Sequence, residues 1–391
     1  MAVLTRSKFT VLVSIVFISG FTQGMLLPLI AILLEQAGTS ATLNGLNAIA
    51  LYLGIMFVAP FVEKPLQTYG YKKIIVTGLI LVTLSLFLFP WYKAFWFWFA
   101  LRMIVGVGDH MLHFSTQVWV TSKSPEEKRG RNIAIYGIAF GAGFGVGPLM
   151  TRFASWNESL PFIISGAFCL LSLFIMTCIK NELPDTGTPT EAGMNVFTRY
   201  LEVLKIAWVA LLPAFGYGFL ESFLNGSFPV FALRQGIAVE WVSILLPSFI
   251  MGSLIFQLPL GIWSDRFGRR KVLLICLVIG FMAFASTLLA NKHMLIYLVL
   301  FFIAGMFIGS LFSLGMMYLS DLLPPYLLPV GNILAGIAFS AGSMSGPLIG
   351  GTFIATFDAG AFVYAICGML AVLFIVTWLH KGDSAPKPLK N

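Results

Sequence analysis

The chain has 391 residues, 58% of them hydrophobic and 10% charged, and a formal net charge of +8. A water-soluble domain carries about 25% charged residues, so this composition excludes one, and the mean hydropathy of +0.92 calls for an apolar solvent. The four cysteines, Cys169, Cys178, Cys276 and Cys367, stand singly inside apolar runs, which excludes a disulfide framework or a zinc site of C-x-x-C type.

A helix needs about 20 apolar residues to cross the hydrocarbon core. Such runs fall at 9–34, 43–62, 74–91, 95–120, 132–154 and 160–180, and again at 206–232, 240–263, 271–290, 295–319, 331–357 and 360–379. The first is too long for a signal-peptide core and lacks a small-residue cleavage site, so it reads as a retained span. The runs are continuously apolar rather than alternating, which predicts helices and not a lipid-facing barrel. The expected fold class is all-α integral membrane, with twelve transmembrane helices. The aromatic run Trp91, Tyr92, Phe95, Trp96, Phe97 and Trp98 is expected at the membrane interface.

Between the sixth and seventh runs, Asn181–Tyr200 is the one linker-like stretch, with Pro184, Gly187, Pro189 and Gly193. Across it the halves echo each other. Gly70-Tyr71-Lys72-Lys73 matches Gly268-Arg269-Arg270-Lys271, and Gly147-Pro148-Leu149 matches Gly346-Pro347-Leu348. This predicts two six-helix bundles, 1–180 and 204–391, joined by a linker over 181–203. A pseudo-two-fold axis would relate them, with a cavity between. With the N-terminus inside, nineteen Lys and Arg residues fall in cytoplasmic segments and four (Lys93, Arg152, Arg234, Lys292) outside. The positive charge is therefore read as topology, both termini as cytoplasmic, the site as a bacterial inner membrane, and nucleic acid is not expected as a partner.

The loop after span eight reads Gly261-Ile262-Trp263-Ser264-Asp265-Arg266-Phe267-Gly268-Arg269-Arg270-Lys271. It closely resembles the signature loop of the major facilitator superfamily, G-x-x-x-D-R-x-G-R-[RK]. A carboxylate at a helix end, with arginines just beyond it, can latch neighbouring helices in one state. Asp265, Arg266, Gly268 and Arg269 are therefore candidate latch residues; the plainer reading is a basic turn obeying topology. The first-half counterpart departs from the pattern, with Gln67 for the aspartate and Thr68 for the arginine, and Glu63 nearby as a substitute carboxylate. An asymmetric pair of latches is expected.

Span five resembles the family's antiporter motif, G-x-x-x-G-P-x-x-G-G, through Gly143, Gly147 and Pro148, then departs with Thr151 and Arg152. Span eleven carries the whole pattern in Gly342, Gly346, Pro347, Gly350 and Gly351. Glycines at this spacing let helices approach, and the proline bends the span. The resemblance implies proton-coupled export; ordinary close packing is the competing reading.

Span four contains Arg102-Met103-Ile104-Val105-Gly106-Val107-Gly108, which resembles the family's R-x-x-x-G-x-G element, followed by Asp109, His110 and His113. At helical periodicity Arg102, Gly106, Asp109 and His113 fall within about 60° of one another, and Thr116 and Gln117 extend the stripe. Asp109 falls near mid-membrane, where an ionisable group must face protein or water. Asp109 and His113 are spaced to share a proton, Arg102 lies about 10 Å along the axis, and His110 is assigned to packing. In span seven Glu221 sits among Gly216, Tyr217, Gly218 and Asn225 as a second candidate for proton or cationic-substrate binding. Gln23, before Gly24 and Pro28, is placed in the same cavity. For all of these the competing reading is a structural polar network.

Other classes fit less well. Gly106-Val107-Gly108-Asp109 spells the G-x-G-D of intramembrane aspartyl proteases, but the companion Tyr-Asp pair is absent, as are H-E-x-x-H and a nucleotide-binding P-loop. Channels often use re-entrant filters or subunit rings, in contrast to an internal repeat with a latch. The expected function is therefore secondary transport, with no cofactor beyond a proton gradient. The leading reading is proton-coupled efflux of a small amphipathic compound or drug by alternating access. The alternative is a proton symporter or facilitator for a small polar nutrient. The expected partners are the lipid bilayer and a small-molecule substrate, with the chain acting as a monomer.

Overall fold

A computed structural model describes residues 4–184, 196–290, 293–357 and 361–380, and every regular element among them is a helix. The linker residues 185–195, the tail 381–391 and Lys292 lie outside the described residues. Twelve long helical segments follow in chain order, with a short helix, Glu63–Tyr69, between the second and third. They are α1 Arg6–Gln36, α2 Ala41–Phe61, α3 Tyr71–Leu88, α4 Phe95–Lys123, α5 Glu127–Ser155 and α6 Leu160–Thr177. Then come α7 Thr198–Arg234, α8 Val239–Phe267, α9 Arg269–Leu289, α10 Met294–Leu322, α11 Leu328–Thr356 and α12 Phe362–Leu379.

Eleven of these are long and apolar enough to cross a membrane. The remaining one, α4, has 29 residues, enough to exceed the roughly 30 Å hydrocarbon core at about 1.5 Å per residue. Its hydropathy is lowered by Arg102, Asp109, His110 and His113 in its interior. The segments are not uniform. α5 tightens into a 3-10 helix over Gly147–Ser155, beginning at the Gly-Pro pair. α7 is kinked at Ala207 and broken at Ser227, and α10 is broken at Gly309 and Ser310. Gly70 (φ +85°) and Gly268 (φ +94°) hold the same place in the two halves, ending one helix and starting α3 or α9. Only glycine adopts that backbone without strain.

The chain divides into two compact units: residues 1–190 with 225–247, and residues 191–224 with 248–391. In the first unit α1 and α5 approach through glycines on both helices. Gly20 and Gly24 face the backbone of Phe140 and Phe144, and Gly143 and Gly147 face that of Phe17 and Phe21. Lipid supplies no hydrophobic drive between helices, so close backbone contact provides the cohesion. Gly54 and Gly106 join α2 to α4 in the same way, through Met103 and Leu51. Trp119, Tyr71, Leu12 and Leu112 lie in the core near the end where α1 begins. Segment 225–247 is tied into this unit by Arg234, whose guanidinium donates to Glu35 at 2.7 and 3.3 Å, and by Arg152 Nε donating to Ser243 Oγ at 3.3 Å.

The second unit repeats the first. Gly342 and Gly346 of α11 face the backbone of Phe215 and Phe219 on α7, and Gly218 faces Phe339. Gly143 to Gly342 is a shift of 199 residues and Phe17 to Phe215 one of 198, so the internal contacts repeat as well as the sequence. Pro347 lies inside α11 without ending it, whereas Pro148 stands where α5 turns to 3-10 geometry.

Candidate functional site

The polar groups of the first unit converge on Asp109, which is 2% exposed. The Ser19 hydroxyl and the Gln23 side-chain amide, one turn apart on α1, both donate to its carboxylate. Ser19 Oγ lies 2.9 Å from His113 Nε2, and His113 Nε2 lies 4.0 Å from Asp109 Oδ1. His113 Nδ1 lies 3.1 Å from the Tyr136 hydroxyl on α5, which is also 3.1 Å from Thr116 Oγ1. The result is a continuous chain of groups that can each give or take a proton, from Asp109 through Ser19, His113 and Tyr136 to Thr116. The His113 side chain is 23% exposed.

Arg102 lies on the same face of α4 but bonds to a different helix. It is 1% exposed, its Nη1 donates to Asn47 Oδ1 on α2 at 3.1 Å, and its Nη2 has no partner among the described residues. His110 stacks on Phe114, with ring centroids 6.1 Å apart. Glu221 is partly exposed on α7 in the second unit, whereas Asn225, one turn on, is buried and belongs to the first.

The latch residues come together only in part. Arg269 pairs with Asp265, and its Nε lies 3.2 Å from Asp321 Oδ2 at the end of α10. Its Nη1 also donates to Ser264 Oγ at 2.5 Å and to the Gly261 carbonyl at 3.4 Å. Arg266 stays outside this cluster, 5.6 Å from the Phe267 ring. Arg270 caps the end of α12 through the carbonyls of Thr377 and Trp378, at 3.0 and 2.6 Å.

The first half keeps the cap and changes the latch. Lys72, the counterpart of Arg270, caps the end of α6 through the carbonyls of Thr177 and Ile179, at 3.1 and 2.6 Å. Tyr71 and Ser122 stand where Arg269 and Asp321 stand in the second half, and their hydroxyls lie 3.0 Å apart. A neutral hydrogen bond thus replaces an ion pair. Tyr71 also stacks on Trp119 at 5.0 Å. Among the described residues Glu63 accepts from Gln67 of its own short helix, at 3.2 Å.

The carboxylate that ties this end together is Glu182, beyond α6. It accepts from Lys8 and, at 2.9 Å, from Trp119 Nε1. Burial pushes its carboxyl up, but the bonds from Lys8 and Trp119 and the charges of Lys8 and Lys123 outweigh that and hold it below the usual carboxylate range. A depressed folded value means the stabilisation is complete above the ordinary carboxylate range and is lost as pH falls through the folded value. Glu182→Gln is therefore expected to lower the melting temperature in detergent at neutral pH, through loss of charge-assisted bonds worth about 1–3 kcal/mol. The gap between wild type and variant should narrow as the pH falls through the folded value of Glu182 and close below it.

Ser19, Asn47, Tyr136, Glu182 and Asp321 were not singled out from the sequence. The one available signal was for Asp321: it stands 199 residues beyond Ser122, on the helix that repeats α4. Among the described residues no group of three His, Cys, Asp or Glu side chains is placed to hold a metal ion.

An internally repeated set of membrane-crossing helices, with ionisable groups held inside it, defines a multi-pass membrane transporter. The sequence matches the Major Facilitator Superfamily over residues 12–252 and 212–391, and the chain belongs to that superfamily. YfkF of Bacillus subtilis (strain 168), an uncharacterized MFS-type transporter, is 49% identical over 383 residues, 97% of each chain. Multidrug resistance protein 2 of the same organism is 22% identical over 296 residues, 73% of this chain and 74% of the relative. Among solved structures, a D-xylose-proton symporter superposes with a TM-score of 0.75 at 15% identity, covering 97% of this chain and 99% of its own. The nucleoside transporter NupG does so at 0.74 and 14%, covering 96% and 100%. These two likenesses concern the fold.

Proposed function

We propose that this transporter exports a small amphipathic compound in exchange for protons by alternating access, with Asp109 carrying the proton. The observation that supports this reading is the partner set of Asp109: a buried carboxylate bonded by Ser19 and Gln23, with no lysine or arginine paired to it among the described residues. A hydroxyl and a carboxamide can each donate or accept, so both the carboxylate and the carboxylic acid can be hydrogen-bonded here. A carboxylate clamped by arginine would lack that freedom. His113 and Tyr136 extend the proton path, Arg102 holds α4 against α2, and Arg269 with Asp265 and Asp321 latches the loop end in one state. The lysine and arginine distribution orients that end to the cytoplasm of a bacterial inner membrane, and the chain works as a monomer.

The test has two stages. Growth-inhibition profiles on overexpression and deletion identify a transported compound. Purified protein in proteoliposomes should then move that compound against its gradient when a pH gradient is imposed. Transport that proceeds equally with the gradient collapsed would overturn proton coupling.

A further inference from the structure

The internal repeat gives Glu221 a counterpart. In the first unit α1 presents Ser19 and Gln23 to His113 and Asp109 of α4, and the Phe140 ring of α5 lies 4.8 Å from that of His113. The shifts of 198 and 199 residues carry Ser19 to Tyr217, Gln23 to Glu221, Asp109 to Ile308, His113 to Phe312 and Phe140 to Phe339. The contacts of the second unit agree with this correspondence. The Phe312 and Phe339 rings touch at 5.6 Å, where His113 and Phe140 do, and Tyr217 lies 6.3 and 6.1 Å from them.

The same three-helix arrangement therefore carries different chemistry in the two units. The carboxylate has moved from the α4 position to the α1 position, onto Glu221. Ser19 and His113 have become Tyr217 and Phe312. Tyr217, Glu221, Phe312 and Phe339 are all partly exposed, and Tyr217 and Glu221 lie one turn apart on one face of α7. A carboxylate at this depth must face protein or water rather than lipid. Ring faces are electronegative and attract a weakly hydrated organic cation, while the carboxylate neutralises its charge. An anion would be repelled by both.

We propose that Tyr217, Glu221, Phe312 and Phe339 form a binding site for an organic cation, a lipophilic amine or quaternary onium compound. This rests on the reading of the protein as a transporter of amphipathic compounds, but on neither the direction of transport nor its coupling to protons.

The test is equilibrium binding of radiolabelled tetraphenylphosphonium to the purified full-length protein in detergent, where no gradient exists. Tetraphenylborate, an anion of the same shape, is the control. Saturable binding of the cation and none of the anion is expected. Glu221→Gln should weaken cation binding by about tenfold or more, and Phe312→Leu by a few-fold. Glu221→Asp should retain part of it, which a purely structural role for the residue would not produce. Melting curves establish that each variant is folded, and Phe312→Leu carries the test if Glu221→Gln does not fold. Equal binding of cation and anion, undiminished binding by folded Glu221→Gln, or no cation binding by wild type would each overturn the site. Proton-driven transport of another compound, with no cation bound, would sink this site and leave the transport reading standing.

Discussion

Replacing Asp109 by asparagine is expected to reduce gradient-driven transport to the level of protein-free liposomes while leaving a folded, inserted protein. Asparagine has the shape of the carboxyl group and can still bond Ser19 and Gln23, so the change in stability should be about 1 kcal/mol. What asparagine cannot do is release a proton. Exchange of labelled for unlabelled substrate, which needs no net proton movement, should therefore survive in the variant. If Asp109 were instead a structural member of the α1–α4 contact, the two activities would fall together with the yield of folded protein. Tyr136→Phe keeps the ring but removes the hydroxyl that lies 3.1 Å from both His113 Nδ1 and Thr116 Oγ1. It should slow gradient-driven transport without abolishing exchange.

The largest effect on stability is expected from the glycines where α1 meets α5 and α7 meets α11. A Cβ on Gly143 would stand 2.9 Å from Phe17 C and from Phe21 N, and one on Gly342 would stand 2.9 Å from Phe215 C and from Phe219 N. Those neighbours are backbone and cannot turn aside, so the helices must separate. Gly143→Val and Gly342→Val should each destabilise by about 3 kcal/mol, seen as lower melting temperatures and less monodisperse protein. Gly137 and Gly336 lie on the same helices with nothing within 4 Å of an added Cβ. Alanine at those two positions should change stability by no more than about 0.5 kcal/mol. Wild-type melting by the valine variants would contradict the close approach.

The spans were legible because bilayer thickness fixes how long an apolar run must be. The runs 95–120 and 160–180 became Phe95–Lys123 and Leu160–Thr177. The repeat was legible from two short echoes. What periodicity could not supply was the neighbour each face meets. Arg102 and Asp109 are seven residues apart and share a face of α4, yet one bonds Asn47 of α2 and the other Ser19 and Gln23 of α1. The break at Gly309–Ser310 was equally hidden, since it lies inside the apolar run 295–319, whereas Asn225-Gly226 and Pro229 do mark the one at Ser227. The weakened first-half latch was visible in Gln67 and Thr68. Its replacement by Tyr71, Ser122, Trp119 and Glu182 was not, because those residues meet only when α3, α4 and the end of α6 are assembled.

The most direct test of the central claim is proton release on substrate binding, read by a pH-sensitive dye in weakly buffered detergent with a compound found by the growth screen. Wild-type protein should release protons when that compound is added, and Asp109→Asn should release none while still binding it. Equal release from both proteins, or none from wild type, would contradict the assignment of the coupling proton to Asp109.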